Sequence, residues 1–307
     1  MFKLGLFKKE QLTPANLAGF PNSHKFIALD LYNALDDLPC AEIDQIQERM
    51  LHWFRLQNGV LKRTHARRFV EFDRLSLSAI AANFSSGQNL RVHDIGASDG
   101  RTSCGLYEHL NQRYGQRLDF LSSDYAPYLY VLKRAQSTSR LIIDDEQHVL
   151  QIITPPFVFT VVRAESRRLY PLNYLIRLLV TAIYARPLLK SYKSGYPTSY
   201  DVLSGPTECF DIIRAMNLLN YGYFPEAQLR NAVENIIQSL SEGGLFITGS
   251  NMEQGSIVDG AIYKKTKNGM ERVEISGKGS KVDALISDVD GRPMTFSTVP
   301  NKGTPSN

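Results

Sequence analysis

The sequence has little cysteine and no clustered metal ligands. Its 307 residues include three cysteines, Cys40, Cys104 and Cys209, which lie far apart and form no CxxC pair. The histidines do not cluster at metal-ligand spacing either. These absences argue against a disulfide framework and against a zinc site, and they favour a reducing compartment.

The chain also lacks a strong charge bias and a long apolar run at its start. Its net charge of +4 at pH 7 is mild, whereas proteins that bind nucleic acid usually carry a much stronger basic bias. The opening stretch MFKLGLFKKEQLTP has too short an apolar part for a signal peptide and contains no small-residue cleavage site. We therefore expect a cytoplasmic protein with no nucleic-acid partner.

The chain does contain enough apolar material for a sizeable core. Its hydrophobic fraction is 43%, which is ordinary for a globular protein. The length of 307 residues corresponds to about two units, or to one large unit with an insert. Residues 1–88 predict a helical N-terminal region, whose second helix runs from about Thr64 to Phe84 and is broken by Ser85-Ser86-Gly87.

From residue 89 onward, strands and helices alternate. Strands are predicted at Leu90–Gly96, Leu118–Ser122, Phe210–Ile213 and Leu245–Thr248, and helices at Thr102–Tyr114 and Glu226–Leu240. This alternation predicts an α/β fold with a Rossmann-like, mostly parallel sheet covered by helices on both faces. Asn268-Gly269 between two apolar runs predicts a C-terminal antiparallel hairpin. The predicted core spans 89–287, and the polar residues 288–307 predict a flexible tail.

Residues 138–198 do not follow this alternation and predict an α+β insert in the core. Leu141–Ile143 and Val149–Ile153 predict a hairpin, and Phe157–Val162 predicts a further strand. Pro171 suits the first turn of a helix, which would extend over residues 171–190 with mostly apolar faces. The insert thus places a large apolar surface between the second and third strands of the core.

The predicted helix at 171–190 has several open interpretations. It is too short, and too interrupted by Arg177 and Arg186, to span a membrane. Its apolar faces fit a core helix or a homodimer contact, a lid over an apolar substrate, or a peripheral contact with a membrane surface. We expect the insert to form part of a pocket for an acceptor molecule, because ligands bind at the carboxyl ends of strands in open α/β sheets.

A glycine-bearing turn follows the first predicted strand of the core. It reads Asp94-Ile95-Gly96-Ala97-Ser98-Asp99-Gly100 and leads directly into a helix. Glycine allows positive φ and close approach of a ligand, and the helix start adds N–H groups that favour a carboxylate or phosphate. The candidate cofactor-binding residues of this turn are Asp94, Gly96, Ala97, Ser98 and Gly100. The alternative is a tight strand-to-helix turn without a ligand.

The turn does not have the spacing of a dinucleotide-binding fingerprint. A full GxGxxG is absent, and the acidic Asp99 would sit poorly beside a diphosphate. The next predicted strand ends at Asp124, whose carboxylate could accept two hydrogen bonds from the hydroxyls of a ribose. Tyr125 beside it could cover an adenine ring. The alternatives are a turn or helix-cap role for Asp124 and a core position for Tyr125.

A third motif carries a family resemblance. The run CFDIIRAMNLLNYGYF at residues 209–224 is followed by a helix and then by LSEGGLFITGSN. With the glycine turn, this pattern resembles the class I S-adenosylmethionine-dependent methyltransferases, and most closely the branch that methylates chemotaxis-receptor glutamates. The matching positions are Gly96, Ser98, Gly100, Asp211, Arg214, Asn217, Leu218 and Tyr221. The resemblance covers about residues 88–136 and 202–277.

The resemblance implies a cofactor, S-adenosyl-L-methionine, and a methyl-transfer reaction. It implies that Asn217 and Leu218 join the cofactor site and that Tyr221 and Tyr223, after the fourth strand, line the acceptor pocket. The chain departs from the receptor enzymes at Arg101-Thr102-Ser103, where they typically have acidic residues. The acid expected after the third strand is not evident within Val202-Leu203-Ser204-Gly205. The receptor substrate is therefore not implied.

Three hypotheses of function follow. The first is a methyltransferase for a small, apolar acceptor, and the second is a protein carboxyl methyltransferase of the chemotaxis type. The third is a non-catalytic protein that binds the cofactor, or none, and serves as an interaction partner. No catalytic residue is evident, because His93 and His109 are better explained as structural residues than as general bases.

Overall fold

The computed structural model describes residues 6–7, 27–28, 68–98, 100–125, 127–133, 140–143, 149–154, 157–160, 175–179, 198–206, 208–251, 257–289 and 295–296. It is an α/β protein in which most of the helices and strands predicted for the core are present. The first of the two helices that the sequence predicts for the N-terminal region, near residues 43–54, lies outside the described residues.

Four α-helices are described, and their apolar positions recur at helical spacing. They are α1 (Val70–Asn83), α2 (Arg101–Tyr114), α3 (Glu226–Gln238) and α4 (Asp283–Val289). In α1, Phe72, Ser76, Ala79 and Ile80 are buried, which places one face against the core. The hydroxyl of Ser76 donates to the carbonyl of Phe72, 2.7 Å away, so that this buried polar group is satisfied within the helix.

Fifteen strands lie within the described residues. They are β1 (Leu6–Phe7), β2 (Ile27–Ala28), β3 (Leu90–Ile95), β4 (Leu118–Asp124), β5 (Tyr128–Lys133), β6 (Arg140–Ile143), β7 (Val149–Thr154), β8 (Phe157–Thr160), β9 (Leu175–Leu179), β10 (Thr198–Ser199), β11 (Phe210–Met216), β12 (Leu240–Asn251), β13 (Val258–Thr266), β14 (Gly269–Ser276) and β15 (Thr295–Phe296). Strands β1 and β2 form a parallel pair of their own.

The main sheet has eight strands in the order β10-β4-β3-β11-β12-β13-β14-β15. Parallel pairing joins β10 to β4, β3 to β11, β11 to β12 and β14 to β15, whereas β12, β13 and β14 are antiparallel neighbours. The central strand β11 reads FDIIRAM and is buried at six of its seven positions, as expected for a parallel strand covered on both faces. The predicted Rossmann-like sheet with a C-terminal antiparallel hairpin is confirmed.

The hairpin turn at Asn268-Gly269 lies where its sequence placed it. Gly269 has a φ of +119°, which glycine adopts without a steric penalty, and the hydroxyl of Thr266 donates to its carbonyl over 2.8 Å. Beyond the hairpin, β15 pairs with Glu271 and Arg272 of β14. Residues 288–307, which the sequence indicates as a tail, thus contribute a short strand to the sheet.

A second, five-stranded sheet lies between β4 and β10 along the chain. Its order is β8-β7-β6-β5-β9, and all four pairs of neighbouring strands are antiparallel. The hairpin and the strand predicted between residues 141 and 162 are present as β6, β7 and β8. The sheet also contains β5, which begins at Tyr128, ten residues before the predicted start of the insert at 138.

The helix predicted at 171–190 is wrong for Leu175–Leu179, the part of that segment that the structure describes. These residues form β9 and pair with β5 from Tyr128 to Leu132. A short apolar run such as LIRLL fits a buried strand as well as a buried helix, and periodicity alone does not separate the two. Here the long-range partner β5 decides the conformation. No described helix is long and apolar enough to span a membrane.

The chain divides into two compact units. The first comprises residues 1–68, 97–108 and 122–200, and the second comprises 69–96, 109–121 and 201–307. The second unit contains a core centred on α1, α3 and strands β11 to β13. Within it, Gly249 and Gly260 face each other across β12 and β13. A Cβ atom on Gly260 would lie 2.9 Å from the ring of Phe72, so the absent side chain lets this ring pack directly on the sheet backbone.

Candidate functional site

The glycine turn after β3 adopts left-handed backbone conformations at alternate positions. Gly96 has a φ of +74°, Ser98 of +57° and Gly100 of +81°. Serine is rarely found in this region, which costs an L-residue about 1–2 kcal/mol. Such a cost is tolerated where surrounding contacts impose the conformation, and it is concentrated at functional sites.

In the first unit, the turn is held by the carboxyl end of β4. The main-chain N–H of Ala97 donates to the carbonyl of Ser123 at 2.9 Å, and the main-chain N–H of Ser98 donates to Oδ2 of Asp124 at 2.8 Å. A further bond from the N–H of Gly100 to the carbonyl of Ala97, at 2.9 Å, closes the turn. Asp124 is 8% exposed. The structure therefore brings together four of the candidate cofactor-binding residues: Ala97, Ser98, Gly100 and Asp124.

Tyr125 follows Asp124 and is 42% exposed. Its carbonyl accepts a 3.3 Å bond from the hydroxyl of Ser199, and the carbonyl of Asp124 accepts a 3.0 Å bond from the N–H of Tyr200. The backbone of residues 124 and 125 is thus fixed by the segment that begins with β10. An exposed aromatic ring on a fixed backbone offers a flat apolar face beside a buried carboxylate.

In the second unit, Leu218 lies against Gly96. A Cβ atom on Gly96 would lie 3.3 Å from Cδ2 of Leu218 and 3.5 Å from its Cβ. Glycine is needed at position 96 for two reasons, the positive φ and the closeness of this leucine. The candidate residues Gly96 and Leu218 are therefore neighbours, although 122 positions separate them along the chain.

Asn217 is held by the end of β12. Its φ is +56°, and its N–H donates to the carbonyl of Gly249 at 2.8 Å. Its side-chain Nδ2 donates to Oδ1 of Asn251 at 3.1 Å, while its Oδ1 accepts the main-chain N–H of Asn251 at 3.0 Å. The amide of Asn217 is thus engaged with a neighbouring strand of the same sheet.

Asp94 takes part in a buried ion-pair network. Its Oδ2 lies 3.4 Å from Nη1 of Arg214, and Nη2 of Arg214 lies 2.9 Å from Oδ1 of Asp73. Arg214 is fully buried, and its guanidinium also lies 5.6 Å from the centre of the Phe69 ring. Burial raises the pKa of Asp73, whereas Arg214 opposes that rise. These contacts give Asp94 and Arg214 a role in joining α1, β3 and β11.

Asp211, another position of the resemblance, lies at the opposite end of its strand from Asn217. Its Oδ2 accepts a 2.9 Å bond from the main-chain N–H of Arg91. This contact joins the amino ends of β3 and β11, which pair from Val92 and Ile212 onward. Asp211 therefore supports the sheet and does not belong with the residues that follow the strands.

The tyrosines proposed for the acceptor lie on a turn organised by Asn220. Its Oδ1 accepts the N–H of Gly222 at 2.9 Å, and its carbonyl accepts the N–H of Tyr223 at 3.0 Å. A Cβ atom on Gly222 would lie 2.9 Å from that Oδ1, so a side chain at position 222 would displace the Asn220 amide. Tyr221 is 51% exposed, and Tyr223 is half-buried.

Two titratable side chains near the turn are unsuited to proton or methyl transfer. Burial lowers the pKa of His93 to about 3, so its imidazole is neutral at physiological pH and packs on Phe210 with ring centres 4.8 Å apart. Burial, together with Glu108, raises the pKa of Cys104 to about 12, which keeps this thiol protonated. In the part of the chain that is described, no group of His, Cys, Asp and Glu could hold a metal ion.

The sequence did not single out two residues that organise the site. Asn251 follows the predicted strand Leu245–Thr248, and Asn220 lies within the matched run at 209–224. Both act through side-chain amides, which no spacing rule identifies. The asparagines that follow predicted strands could have indicated ordered turns, because Asn tolerates left-handed turns and forms hydrogen bonds to nearby backbone groups.

Comparison with known proteins identifies no family for the chain. No protein-family model matches it, and no curated protein matches it. Solved structures with similar folds include the carbon methyltransferase of CurJ, at 12% identity and a TM-score of 0.35 over 62% of this chain and 36% of that one. The methyltransferase domain of the citrinin polyketide synthase is similar at 16% identity and a TM-score of 0.32, over 60% of this chain and 35% of that one.

A third similar structure is the N-methyltransferase NodS of Bradyrhizobium japonicum, in complex with S-adenosyl-L-homocysteine. The identity is 15% and the TM-score 0.35, over 66% of this chain and 72% of that one. Such low identities and TM-scores do not assign the chain to a family or a function. None of these three is described as a chemotaxis-receptor enzyme, and the resemblance to that branch is not confirmed.

Proposed function

We propose that the chain is an S-adenosylmethionine-dependent methyltransferase that acts on a small acceptor with an apolar portion. The observation that carries this proposal is the bond from the N–H of Ser98 to the carboxylate of Asp124. It joins a glycine turn after one strand to an acidic residue at the end of another, which is where nucleoside cofactors bind in open α/β sheets.

The residues of the first unit fit the nucleoside part of that cofactor. A carboxylate offers about four acceptor positions, so Asp124 can bind the N–H of Ser98 and also accept bonds from ribose hydroxyls. Tyr125 presents an exposed ring directly after this carboxylate, which suits the face of an adenine. Ala97, Ser98 and Gly100 supply a backbone on which the ligand can approach closely.

The start of α2 suits the charged end of the cofactor. This helix begins at Arg101, directly after Gly100, and the first N–H groups of a helix favour a carboxylate. In the second unit, we propose that Gly96, Asn217 and Leu218 shape the strand ends that carry the turn. Asp94 would act through Arg214, with which it is paired, and would support β3 instead of contacting the ligand.

The bound cofactor would supply an electrophilic methyl group, and the protein would align an acceptor for in-line displacement and exclude water. We assign no general base, because such a residue is needed only for an acceptor that must lose a proton. Tyr221 and Tyr223 follow β11 on an ordered turn and are proposed to line the acceptor pocket. Exposed tyrosine rings provide large, rigid contact surfaces at low entropic cost.

The apolar character of the acceptor is proposed from the insert. The chain enters the five-stranded sheet at Tyr128, only four residues after Asp124, and returns at β10, which pairs with Ser123 and Asp124. The insert and the Ser98–Asp124 pair belong to the same compact unit. Its strands β6 to β9 are rich in leucine, isoleucine, valine and phenylalanine, which suits a wall for an apolar ligand.

The proposal is tested with the intact protein and two ligands. S-adenosyl-L-homocysteine should raise the melting temperature, with a stabilisation of about 2.7 kcal/mol at a hundredfold excess over the dissociation constant. NADH should leave it unchanged, since the chain lacks the pyrophosphate-binding glycine spacing. Incubation with methyl-labelled S-adenosylmethionine and chromatographic fractions of a cell extract should transfer label to a compound of the apolar fractions. If calorimetry detects no binding of either cofactor form, the proposal fails.

A further inference from the structure

We infer that Asn251 is a positioning residue for the glycine turn and acts on it through Asn217 and Leu218. The part of this inference that concerns cofactor binding rests on the proposed function. Its structural part concerns residues of the second unit alone, namely the ends of β12, β11 and β3. These residues can be tested in the protein without any ligand.

The first step is the bond between the two asparagines. The side-chain bond from Nδ2 of Asn217 to Oδ1 of Asn251 measures 3.1 Å, and the main-chain N–H of Asn251 lies 3.0 Å from Oδ1 of Asn217. With the bond from the N–H of Asn217 to the carbonyl of Gly249, residue 217 is attached to the end of β12 at three points. Both asparagines are part-buried, so replacing these bonds by hydrogen bonds to water costs free energy.

The second step is the backbone conformation that these bonds maintain. Asn217 has a φ of +56°, where a residue with a side chain is strained unless its surroundings hold it. Asparagine is among the few residues that adopt this region readily. The left-handed residue turns the chain at the end of β11 and determines where Leu218 is placed.

The third step is the contact of Leu218 with the turn. Its Cδ1, Cδ2 and Cβ would all lie within 3.5 Å of a Cβ on Gly96, so this leucine covers the first left-handed residue of the turn. Gly96 has a φ of +74° and is linked through Ala97 to Ser98. Asn251 therefore fixes Asn217, Asn217 places Leu218, and Leu218 limits the positions that Gly96 can adopt.

The test measures hydrogen exchange of the peptide spanning residues 91–104 in the ligand-free protein. N251L removes the side-chain partner of Asn217 at similar volume, and N217G removes both side-chain bonds while tolerating the positive φ. Each should accelerate exchange in this peptide by about three- to tenfold, the loss expected for one or two hydrogen bonds. N251D keeps an acceptor for Nδ2 of Asn217 and should exchange like the wild type.

The matched control is N235L, which removes another buried asparagine of the second unit. Its Nδ2 donates to the carbonyl of Val202 at 2.8 Å, so this variant should lose stability without faster exchange at residues 91–104. Unchanged exchange in both N251L and N217G overturns the inference, and so does equal acceleration in N251D or in N235L. This readout does not depend on a ligand and decides the inference even if the wild type binds no cofactor.

A second measurement links the result to binding. Titration with S-adenosyl-L-homocysteine should show a dissociation constant raised by about three- to tenfold in N251L and restored in N251D. Absence of binding by the wild type contradicts the proposed function and leaves the exchange result standing. Wild-type affinity in N251L, combined with faster exchange, contradicts the role of Asn251 in the cofactor site.

Discussion

The main-chain N–H of Ser98 donates a 2.8 Å hydrogen bond to Oδ2 of Asp124. One carboxylate therefore holds a left-handed turn, and under the proposed function it would also accept hydrogen bonds from the hydroxyls of a ribose. The two roles are compatible because a carboxylate accepts several hydrogen bonds, whereas a neutral amide in its place accepts fewer. The relationship makes Asp124 the residue of the proposed site whose replacement has the clearest consequences.

Replacement of Asp124 should separate its role in holding the turn from its proposed role in binding the cofactor. D124A removes every acceptor and should weaken binding of S-adenosyl-L-homocysteine by about 1.5–3 kcal/mol, the usual worth of hydrogen bonds to a charged group. D124N keeps one acceptor for the N–H of Ser98 and should lose less. Isothermal titration calorimetry measures both. D119N, on the exposed part of the same strand, is the control, and an affinity in D124A equal to that of D119N would contradict the assignment.

Gly96 should tolerate no side chain. G96A combines a positive φ with a contact of 3.3 Å to Leu218, and we expect the unfolding free energy to fall by more than the conformational penalty of about 1–2 kcal/mol. Gly115 also has a positive φ, +55°, but nothing lies within 4 Å of its Cβ position. G115A should therefore show the conformational penalty alone. Urea denaturation of the two variants measures the difference, and equal losses would remove the role of Leu218.

Arg214 should be essential for folding stability. It is fully buried between Asp73 and Asp94, so R214M leaves two carboxylates without their cation. Breaking a buried pair in this way costs about 3–5 kcal/mol. The exposed pair Arg230–Glu226, at 3.7 Å, provides the control, since R230A should cost less than about 0.5 kcal/mol. Thermal unfolding of both variants tests this, and similar losses would mean that the buried network contributes little.

Asp283 should make stability fall as the pH rises through the mildly acidic range. Burial raises its pKa from 3.8 to about 6, so between these values the folded protein keeps a proton that the unfolded chain has lost. The contribution is fully present below pH 3.8 and is lost as the pH rises through 6. D283N should remove this falling contribution, so that the unfolding free energy rises more steeply between pH 4 and 6 than in the wild type. E242Q, at an exposed position, should keep the wild-type profile.

His93 should make the unfolding free energy rise with pH, opposite to the effect of Asp283. Burial lowers its pKa from 6.5 to about 3, so stability is present above pH 6.5 and is lost as the pH falls toward 3. H93F keeps an aromatic ring against Phe210 and removes this rising contribution, so the unfolding free energy should fall more steeply between pH 4 and 6 than in the wild type. In the wild type the two slopes partly cancel between pH 4 and 6. A profile of H93F that matches the wild type at every pH would contradict this prediction.

The sequence predicted the parts of the fold that depend on local patterns. The alternating apolar runs and the turn at Asn268-Gly269 identified the core strands and the hairpin. Buried positions place apolar residues, and tight turns place glycine, at regular spacings along the sequence. Leu175–Leu179 could not be assigned in this way, since its conformation depends on pairing with β5, which lies 43 or more positions earlier in the chain. Long-range pairing of this kind is not encoded in a short window.

In the candidate site, too, the residues set by local patterns were predictable and the long-range contacts were not. Gly96, Ser98 and Asp124 were recognisable because a strand, a turn and an acid occur in a fixed order. The amide pair of Asn217 and Asn251 and the ion pair of Asp94 with Arg214 were not, because 34 and 120 positions separate their members. Their side chains meet only after the sheet has formed. Residues that hold a site in place are therefore harder to find than residues that line it.

The lengths of the edge strands bear on how the protein behaves at high concentration. The eight-stranded sheet ends in β10 and β15, which have two residues each. Edge strands this short offer few backbone groups to which another molecule could add a strand. The five-stranded sheet ends in β8 and β9, with four and five residues that are mostly apolar. Among the described strands, aggregation by strand addition would therefore start at the smaller sheet, and a lysine introduced into β8 or β9 should raise solubility more than one in β15.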